Sequence, residues 1–529
     1  MAIAGPSRMS TNQSESAIGD ALRALDPASV LLVDDNGPTT AAQAVRFTER
    51  LGAVLADAGV PPSPRVCVVL PNGTLLALSA LGLMAVAAFA PLNPRLTQDE
   101  FAASFTDLDA DVLVSLAGFA PAAHAAARQS GLCIIDADSD GSWELTSTGD
   151  RTRSHRRTGA AADHGSGHAL LLHTSGTTAR PKLIGLSAEN LVASARSVAR
   201  TIEIGPGDRC LNVMPLFHIH GLVGVLLASV VSGASVRTTE RFDPFAFASQ
   251  LRAPDITWTS AVPSAYNTLL RRANPTASPP GLRFARSSSA PLPAVVAERL
   301  ERVLSCPVIN AYGMTEASHQ MTSNPVPPGE RRAGTVGRPA GADVAVLAAD
   351  TVATTPGVLG EVVVRGPGLM AGYLAPAEAN ASAWHDGWFR TGDLGSLDDA
   401  GYLTLHGRIK EIINVAGEKV SPYEVEAALR EHPGVADVVA FAAPDRLRGE
   451  QVCVAVVAHA TCDDLTPAAL QAFAAERLAT FKAPRRIVMT DEIPLGPTGK
   501  VQRSRLAALL GLASADGAPG HEQGKDGTG

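Results

Sequence analysis

A hydroxyl-rich segment closed by a lysine is the part of the sequence best suited to chemistry. Residues 169–172 are apolar and typical of a buried strand, and a loop follows them. Binding of a polyphosphate requires hydrogen-bond donors, close approach of the backbone and positive charge. The loop offers hydroxyls, a glycine and a lysine that meet these three needs. Its members are Thr174, Ser175, Gly176, Thr177, Thr178 and Lys182. It lacks the spacing of a Walker A loop, and an ordinary Ser/Thr-rich turn is the alternative for this segment alone.

Further reactive side chains follow later predicted strands. Residues 308–316 form an apolar strand that ends in Tyr312, Thr315 and Glu316. Asp393 is the acidic residue of a predicted turn between two strands, and Lys500 ends a loop rich in Pro and Gly. Chemistry gathers at the carboxyl ends of strands in α/β folds. Each residue taken singly is also consistent with a structural role: a turn-forming Asp, a helix-start carboxylate or a solvated lysine.

Two histidines, His218 and His220, lie two residues apart in an apolar stretch. A metal-binding pair is one hypothesis, but no third ligand is near in sequence. Histidines that line a small substrate pocket, or that are packed and hydrogen-bonded in the core, fit the apolar surroundings better.

The elements that position these residues alternate between helix and strand. Helical spacing of apolar residues at 40–58 precedes a strand at 65–70, and the pattern repeats with a helix at 75–88 and strands at 111–115 and 133–136. Ser187 is a candidate N-cap for a helix that runs through Val198. This alternation predicts an α/β fold with mostly parallel sheets.

The predicted secondary structure changes after residue 334. Short strands separated by Gly and Pro at 334–373 predict a small β-rich subdomain that closes at 388–395. A compact α+β unit then follows, and its first helix begins with Pro422 inside a capping box formed by Ser421 and Glu424. The predicted organisation is a tail at 1–17, a large N-terminal domain at 18–407, a small mobile C-terminal domain at 408–512 and a tail at 513–529.

Composition excludes several classes of protein. The formal charge of -8 over 529 residues argues against a nucleic-acid partner, and 46% hydrophobic residues can form substantial cores. The apolar stretches at 75–92 and 213–231 contain Ser, Gly, Pro or His and predict buried helices rather than membrane spans. The six cysteines are scattered without CxxC spacing, which argues against a zinc site or a disulfide framework. We expect no membrane partner and a cytoplasmic location, because no signal peptide or peroxisomal address is visible.

Five motifs in order resemble the adenylate-forming superfamily of acyl-CoA synthetases, luciferases and peptide-synthetase adenylation domains. They are TSGTTARPK at 174–182, YGMTE at 312–316, TGD at 391–393, GRIKE at 407–411 and PTGK at 497–500. The resemblance runs from about residue 40 to 510. It implies that a carboxylate attacks the α-phosphate of ATP, and that the thiol of coenzyme A then displaces AMP from the acyl-adenylate.

The resemblance also implies roles for individual residues. The loop from Thr174 to Lys182 would hold the β- and γ-phosphates, Thr315 would contact the α-phosphate and Glu316 would ligate Mg²⁺. Lys500 would bridge the carboxylate and the α-phosphate. The adenosine would contact three further residues, with Tyr312 against the adenine and Asp393 and Arg408 on the ribose hydroxyls.

In this family the small domain rotates between the two half-reactions. Lys410 occupies the hinge position, and Gly417 lies where the pantetheine tunnel would pass. Two departures concern the phosphate loop, where Ala179 and Leu183 stand at positions that are usually Gly.

The pocket positions of the family correspond to His218, Ser289 and His319. These side chains are polar where a pocket for a fatty or aryl acid would be apolar, and they suit a short acid with a second charged or polar group. The residues around 214–221 and 312–325 resemble in particular the oxalate–CoA ligase branch, which implies oxalate as the acid. Malonate or another short dicarboxylate is the first alternative, and an aryl or medium-chain acid is the next.

A different class of function remains open at this point, an adenylation module that loads a carrier protein. Only 29 residues follow the last motif, and no Asp near His218 marks an amino-acid pocket. A non-catalytic ATP-binding protein is disfavoured because Glu316 and Lys500 are both present. The oligomeric state cannot be predicted.

Overall fold

The structure is a computed structural model that describes residues 16–137, 143–147, 167–174, 181–272, 281–459, 462, 465–494 and 501–512. Helix α1 begins at Ala17. Most of the predicted N-terminal tail and all of the tail at 513–529 lie outside these residues.

Strands and helices alternate through the first half of the chain, and the bounds of the described strands and α-helices are as follows. The strands are β1 (Val30–Asp34), β2 (Gly37–Thr40), β3 (Arg65–Val69), β4 (Ala88–Pro91), β5 (Val112–Leu116), β6 (Cys133–Ala137), β7 (Trp143–Ser147), β8 (Leu170–Thr174), β9 (Lys182–Leu186), β10 (Arg209–Asn212), β11 (Ser235–Thr238), β12 (Trp258–Ala261), β13 (Phe284–Ser287), β14 (Val308–Met314), β15 (His319–Ser323), β16 (Arg338–Pro339), β17 (Asp343–Ala348), β18 (Thr351–Ala353), β19 (Gly360–Arg365), β20 (Tyr373–Ala375), β21 (Trp384–His385), β22 (Trp388–Leu397), β23 (Leu403–Arg408), β24 (Ile413–Val415), β25 (Glu418–Val420), β26 (Val435–Asp445), β27 (Gly449–Ala458) and β28 (Arg486–Met489). The α-helices are α1 (Ala17–Arg23), α2 (Ala41–Asp57), α3 (Thr74–Val86), α4 (Gln98–Asp107), α5 (Pro121–Ser130), α6 (Ala188–Thr201), α7 (Ile219–Gly221), α8 (Ala228–Val231), α9 (Phe247–Gln250), α10 (Pro263–Arg272), α11 (Ala294–Leu304), α12 (Pro422–Arg430), α13 (Pro467–Ala475) and α14 (Arg503–Leu509), with a π-helix at Leu222–Leu227 between α7 and α8.

Two large mixed sheets carry most of the fold. Within the described residues, one sheet has eight strands in the order β20-β9-β8-β4-β3-β5-β6-β7, and the other has nine in the order β16-β15-β14-β13-β12-β10-β11-β1-β2. The central strands pair in parallel, as β3 does with β4 and β5, and as β13 does with β12 and β14. Strands at or next to the edges, including β2, β9, β15 and β20, pair antiparallel. The predicted α/β class is confirmed.

Local sequence explains the helices that cover these sheets. Thr40 forms a capping box with Gln43 and starts α2, whose buried residues include Phe47 and Leu51 at helical spacing. Ser187 caps α6 in the same way, as predicted. Helix α3 is apolar on nearly every face because it lies within the main core. No helix in the described part of the chain is long and apolar enough to cross a membrane.

The β-rich region differs from the prediction in two respects. A six-stranded sheet contains β17, β18, β19, β21, β22 and β23 in the described residues, but β16 joins the nine-stranded sheet and β20 joins the eight-stranded sheet. Asp393 does not lie in a turn. It lies inside the ten-residue strand β22, opposite Arg408 of β23. The prediction was wrong because the glycine in TGD suggested a turn where the strand in fact continues.

The C-terminal unit is an α+β layer. Its described strands pair in the order β25-β24-β27-β26, with β28 parallel to β27. Ser421 caps α12 by accepting a hydrogen bond from the Glu424 backbone N–H, and Pro422 is the first helical residue. The Glu424 carboxylate instead pairs with Lys482 at 2.6 Å, so the predicted capping box is formed on one side.

The β14–β15 hairpin sets the geometry of the candidate site, and Gly313 allows it to form. A Cβ added at Gly313 would lie 1.5 Å from the carbonyl oxygen of His319 on the facing strand. Gly313→Ala should therefore lower the free energy of unfolding by at least about 3 kcal/mol, because backbone would have to move. Urea unfolding followed by intrinsic fluorescence measures the change.

Gly52→Ala is the matched control for this substitution. Gly52 lies in α2 with no atom within 4 Å of an added Cβ, so the same change should be neutral or stabilising by about 0.5–1 kcal/mol. Equal stability of the two variants would contradict the importance assigned to the close approach at Gly313.

Candidate active site

The ends of the hydroxyl-rich loop face each other across a hairpin. Strands β8 and β9 are antiparallel, and Thr174 at the end of β8 is the register partner of Lys182 at the start of β9. The Lys182 Nζ lies 4.1 Å from the centre of the Tyr373 ring, a cation–π contact. Other predicted site residues lie outside the described residues, namely Ser175, Gly176, Thr177, Thr178 and Lys500, and so does Ala179. Leu183, the other departure, is buried in β9.

Electrostatics connect Lys182 to two other predicted residues. Burial lowers the pKa of Lys182, the Glu316 carboxylate opposes that shift, and the ammonium of Lys410 adds to it. The net pKa shift is downward. The structure thus places the predicted hinge lysine within electrostatic reach of the lysine that closes the loop.

Glu316 follows β14 in a short 3₁₀ helix, Thr315–Ala317, which directs it into the protein. Its carboxylate is buried, and its Oε1 accepts a hydrogen bond from the Tyr373 hydroxyl at 3.1 Å. Burial raises the pKa of Tyr373, and the nearby Glu316 charge raises it further. Tyr373 therefore contacts Glu316 through its hydroxyl and Lys182 through its ring, which joins the two predicted phosphate-site residues.

A second group of predicted residues meets between β14, β22 and β23. The Tyr312 hydroxyl donates to Asp393 Oδ2, and the Arg408 Nε lies 2.7 Å from Asp393 Oδ1. Arg408 also donates to the Thr391 carbonyl at 3.3 Å. Both carboxylate oxygens of Asp393 are thereby held.

The charges in this second group are mutually dependent. Burial raises the pKa of Asp393, whereas Arg408 opposes that shift. Burial acts to lower the pKa of Arg408, but the combined effect of Asp393, Tyr312, Tyr423 and Glu316 outweighs it and the net shift is upward. Arg408 also interacts with Glu316, so the two groups of predicted residues belong to one site.

The predicted hinge and tunnel residues lie close together in sequence, on either side of β24. Lys410 is in the 3₁₀ helix Ile409–Glu411, directly after β23. Gly417 is in the tight turn between β24 and β25, with φ of 95° and no atom within 4 Å of an added Cβ. The backbone at Gly417 is thus open to close approach by another group.

Two of the three predicted acid-pocket residues, Ser289 and His319, form a polar cluster with His220. The Ser289 Oγ lies 3.0 Å from His220 Nδ1, and the His220 and His319 rings stack with centroids 5.2 Å apart. His319 follows Glu316 by three residues in the sequence, so this cluster lies next to the predicted phosphate-site residues. His218 is half-buried with its ring 4.6 Å from that of Phe217. The described residues hold no group of three or more His, Cys, Asp or Glu side chains that could hold a metal ion.

An arginine lies beneath this cluster. Arg286 in β13 is 0% exposed, and its Nη2 donates to His319 Nε2 at 3.0 Å and to Gln320 Oε1 at 3.1 Å. Its Nη1 donates to Ser260 Oγ at 3.3 Å. Burial lowers its pKa to about 10, so it remains a cation at neutral pH. Among the described residues no carboxylate forms an ion pair with it.

Several polar atoms around Arg286 have no hydrogen-bond partner among the described residues. They are the Arg286 Nε and the hydroxyls of Ser287, Ser288 and Ser318. Buried polar groups are normally satisfied by protein, water or ligand. These atoms lie at or just after the ends of β13 and β14, where they are available to hydrogen-bond a polar group.

Three contact residues of the site were missed by the sequence analysis as site residues: His220, Arg286 and Tyr373. The HxH pattern drew attention to His220 without showing which histidine joins the pocket. Tyr373 directly follows a Gly at the end of the β-rich segment, which was a weak signal. Arg286 gave no signal, because an arginine in a short strand is usually exposed.

Comparison with known proteins identifies the family. The sequence-family model for AMP-binding enzymes matches residues 23–374. The family model for the AMP-binding enzyme C-terminal domain matches residues 424–500. An oxalate–CoA ligase from Arabidopsis thaliana is 39% identical over 86% of this chain and 90% of its own length. A sulfoacetate–CoA ligase from Cupriavidus necator is 37% identical over 86% of this chain and 89% of its own.

Solved structures agree in fold. The ATP-bound MatB from Rhodopseudomonas palustris has a TM-score of 0.82 and 27% identity, covering 93% of this chain and 98% of its own. The family predicted from the five motifs is confirmed, and ATP and coenzyme A are substrates used by this family. The chain therefore belongs to the AMP-binding enzyme family, as an AMP-forming ligase that joins a carboxylic acid to coenzyme A.

Proposed function

We propose that this enzyme ligates oxalate to coenzyme A. One oxalate carboxylate attacks the α-phosphorus of ATP, and the bond to pyrophosphate breaks. The thiol of coenzyme A then attacks the acyl carbon and loses its proton, the bond to AMP breaks, and oxalyl-CoA leaves. Oxalate differs from most carboxylic acids in that a second carboxylate adjoins the reacting one.

The observation that carries this proposal is the buried Arg286 cation, with which no carboxylate of the described residues forms an ion pair. A buried charge is costly unless it is paired and hydrogen-bonded. The Arg286 shell of His319, Gln320 and Ser260 supplies only neutral acceptors. A second anionic group on the substrate, held next to Ser289 and His319, would compensate this charge. An acid with an apolar tail would have no such effect.

The relatives support an acid of this kind. Oxalate and sulfoacetate are both short acids that carry a second anionic group, and they are the substrates in the names of two relatives. Oxalate is the preferred hypothesis because the oxalate–CoA ligase is the more similar of the two over the same share of this chain.

For the nucleotide we propose the roles implied by the family motifs. A carboxylate that attacks a polyanion needs charge neutralisation above all. Lys182 with the loop at Thr174 would bind the β- and γ-phosphates, and Thr315 would donate to the α-phosphate. Lys500 would bridge the two reacting groups. Tyr312 would lie against the adenine, while Asp393 and Arg408 bind the ribose hydroxyls.

The residues present fit Mg²⁺ bound mainly through ATP. Glu316 is a single buried carboxylate, and no cluster of protein ligands exists among the described residues. Mg²⁺ prefers one or two carboxylates together with substrate phosphates and water. When bound, it would neutralise phosphate charge. Tyr373 would orient the Glu316 carboxylate for this role through its hydroxyl.

For the second half-reaction we propose a rotation of the C-terminal unit. Lys410 would be the hinge between the predicted domains at 18–407 and 408–512. Gly417 would then line the path of the pantetheine, where its missing side chain leaves the backbone accessible. One active site could thus assemble in two arrangements.

A first prediction concerns the choice of acid. With ATP, Mg²⁺ and coenzyme A, pyrophosphate release should show the highest kcat/KM for oxalate among oxalate, sulfoacetate, malonate, acetate, benzoate, octanoate and a set of amino acids. Thioester formation, measured by mass spectrometry, should show the same preference among the acids. The highest kcat/KM for benzoate or octanoate would sink the oxalate proposal and leave the ligase class intact. Preference for an amino acid, with transfer to a carrier protein, would favour an adenylation module.

A second prediction concerns the pocket. His319→Ala removes an acceptor of the Arg286 guanidinium and a wall of the pocket, and should raise the KM for oxalate about 10–100-fold, as expected for a hydrogen bond to a charged group. The KM for ATP should change less than about two-fold. His385→Ala, at a half-buried histidine of the six-stranded sheet, is the control and should change neither. An equal loss for all acids would remove His319 from the specificity pocket.

A third prediction concerns pH. The pKa of Lys182 is depressed mainly by burial, so its proton is lost at lower pH than in an ordinary lysine, and kcat/KM for ATP should fall as pH rises through that pKa. Removing a neighbouring cation with Lys410→Gln should move this decline to higher pH. Lys182→Arg should abolish the decline, since arginine stays charged. Persistence of the same decline in Lys182→Arg would show that another group titrates.

A further inference from the structure

A chain of hydrogen bonds runs from the buried arginine to the accessible edge of the acid pocket. The Arg286 Nη1 donates to Ser260 Oγ at 3.3 Å, Ser260 Oγ lies 2.7 Å from His220 Nε2, and His220 Nδ1 lies 3.0 Å from Ser289 Oγ. Arg286 and Ser260 are fully buried, His220 is 2% exposed, and Ser289 is partly exposed. The chain therefore leads outward.

The charge at the inner end gives the chain a direction. A guanidinium can only donate, and a cation favours O–H and N–H dipoles that point away from it. The Ser260 hydroxyl accordingly donates to His220 Nε2. A neutral His220 then carries its proton on Nδ1 and donates to Ser289. The Ser289 oxygen is occupied as an acceptor, and its own proton is left to donate beyond the chain.

The backbone at Ser289 is consistent with a functional constraint. Ser289 has φ of 73°, in the left-handed region that non-glycine residues seldom adopt. Residues held there are strained and tend to cluster at ligand sites. This conformation sets the Ser289 hydroxyl within reach of His220 at the end of β13.

We propose that Arg286, Ser260 and His220 are positioning residues that polarise Ser289, so that its hydroxyl donates to the second anionic group of the acid. This inference rests on the proposed pocket at Ser289 and His319. It specifies that the enzyme selects an acceptor at the distal end of the acid, and that the arginine acts through the chain rather than by touching the substrate. An acid without a distal acceptor gains nothing from it.

The substrate-free protein provides the first test. With ¹⁵N-labelled histidine, long-range ¹H–¹⁵N correlation spectra should show wild-type His220 as the Nδ1–H tautomer, with the signal assigned by its loss in His220→Gln. Ser260→Ala interrupts the chain, and the His220 Nδ1–H tautomer should no longer predominate. An unchanged tautomer in Ser260→Ala would overturn the proposed direction whatever acid the enzyme uses.

Kinetics provide the second test. Ser260→Ala should reduce kcat/KM for oxalate about 10–100-fold and for acetate less than about three-fold. Thr259→Val is the matched control, since Thr259 is the adjacent buried residue of β12, donates to the Leu211 carbonyl at 2.9 Å and points to the opposite face. It should leave the ratio of the two acids unchanged. A Ser260→Ala enzyme with the same ratio as Thr259→Val would overturn the proposal.

A variant at Ser289, the outer end of the hydrogen-bond chain, tests the proposal in a protein that should remain folded. Ser289→Gly removes the hydroxyl at a backbone conformation that glycine adopts without strain, so the protein should remain folded. Its kcat/KM for oxalate should fall as far as in Ser260→Ala, and the Nδ1–H tautomer of His220 should persist. Retention of full oxalate activity would overturn the role of Ser289. If wild type shows no preference for acids with a second anionic group, the proposed function fails, and the tautomer measurement still decides the direction of the chain.

Discussion

The proposed acid-binding side of the structure depends on a cation held inside the protein without a carboxylate partner among the described residues. Arg286 remains charged although it is fully buried, because hydroxyl, imidazole and amide acceptors take its hydrogen bonds. None of these acceptors carries a charge, so the guanidinium is solvated by the protein but not neutralised. Because it can only donate, each acceptor is also fixed in its role. A site of this kind favours a ligand that brings negative charge and disfavours an apolar one.

The nucleotide side depends instead on the junction of three sheets. Lys182 begins β9 of the eight-stranded sheet, Glu316 follows β14 of the nine-stranded sheet, and Tyr373 joins them. Asp393 and Arg408 belong to the six-stranded sheet, and Asp393 reaches the nine-stranded sheet through Tyr312. Contacts between sheets are thus made by the residues proposed to bind ATP, which ties the geometry of the site to the packing of the domain.

Sequence reasoning succeeded where information is local and failed where it is not. The α/β alternation, the Ser187 cap and the strand before Glu316 follow from periodicity and capping chemistry within a few residues. Tyr373 lies in a three-residue strand whose partner, β9, is about 190 residues earlier, so its position cannot be deduced locally. Asp393 looked like a turn residue because its strand contains glycine. The burial of Arg286 is decided by β12 and β14, the preceding and following strands, which flank it in the sheet but lie outside its local sequence.

Around His319, glycines allow close backbone packing, whereas polar residues with positive φ provide side chains. Glycines stand where the chain must come close: an added Cβ at Gly224 of the π-helix would lie 2.4 Å from His319 Nε2, and one at Gly313 would meet the His319 carbonyl. Left-handed conformations occur instead where a side chain is needed, at Ser289, Ser318 and His319, with φ of 73°, 51° and 110°. Glycine would relieve the strain at those three positions but would remove the hydroxyl or imidazole. At Ser289 and His319 the side chains contact His220 and Arg286, which gives the strain a structural reason, whereas the Ser318 hydroxyl has no hydrogen-bond partner among the described residues. A polar ligand at this end of the sheet would supply one.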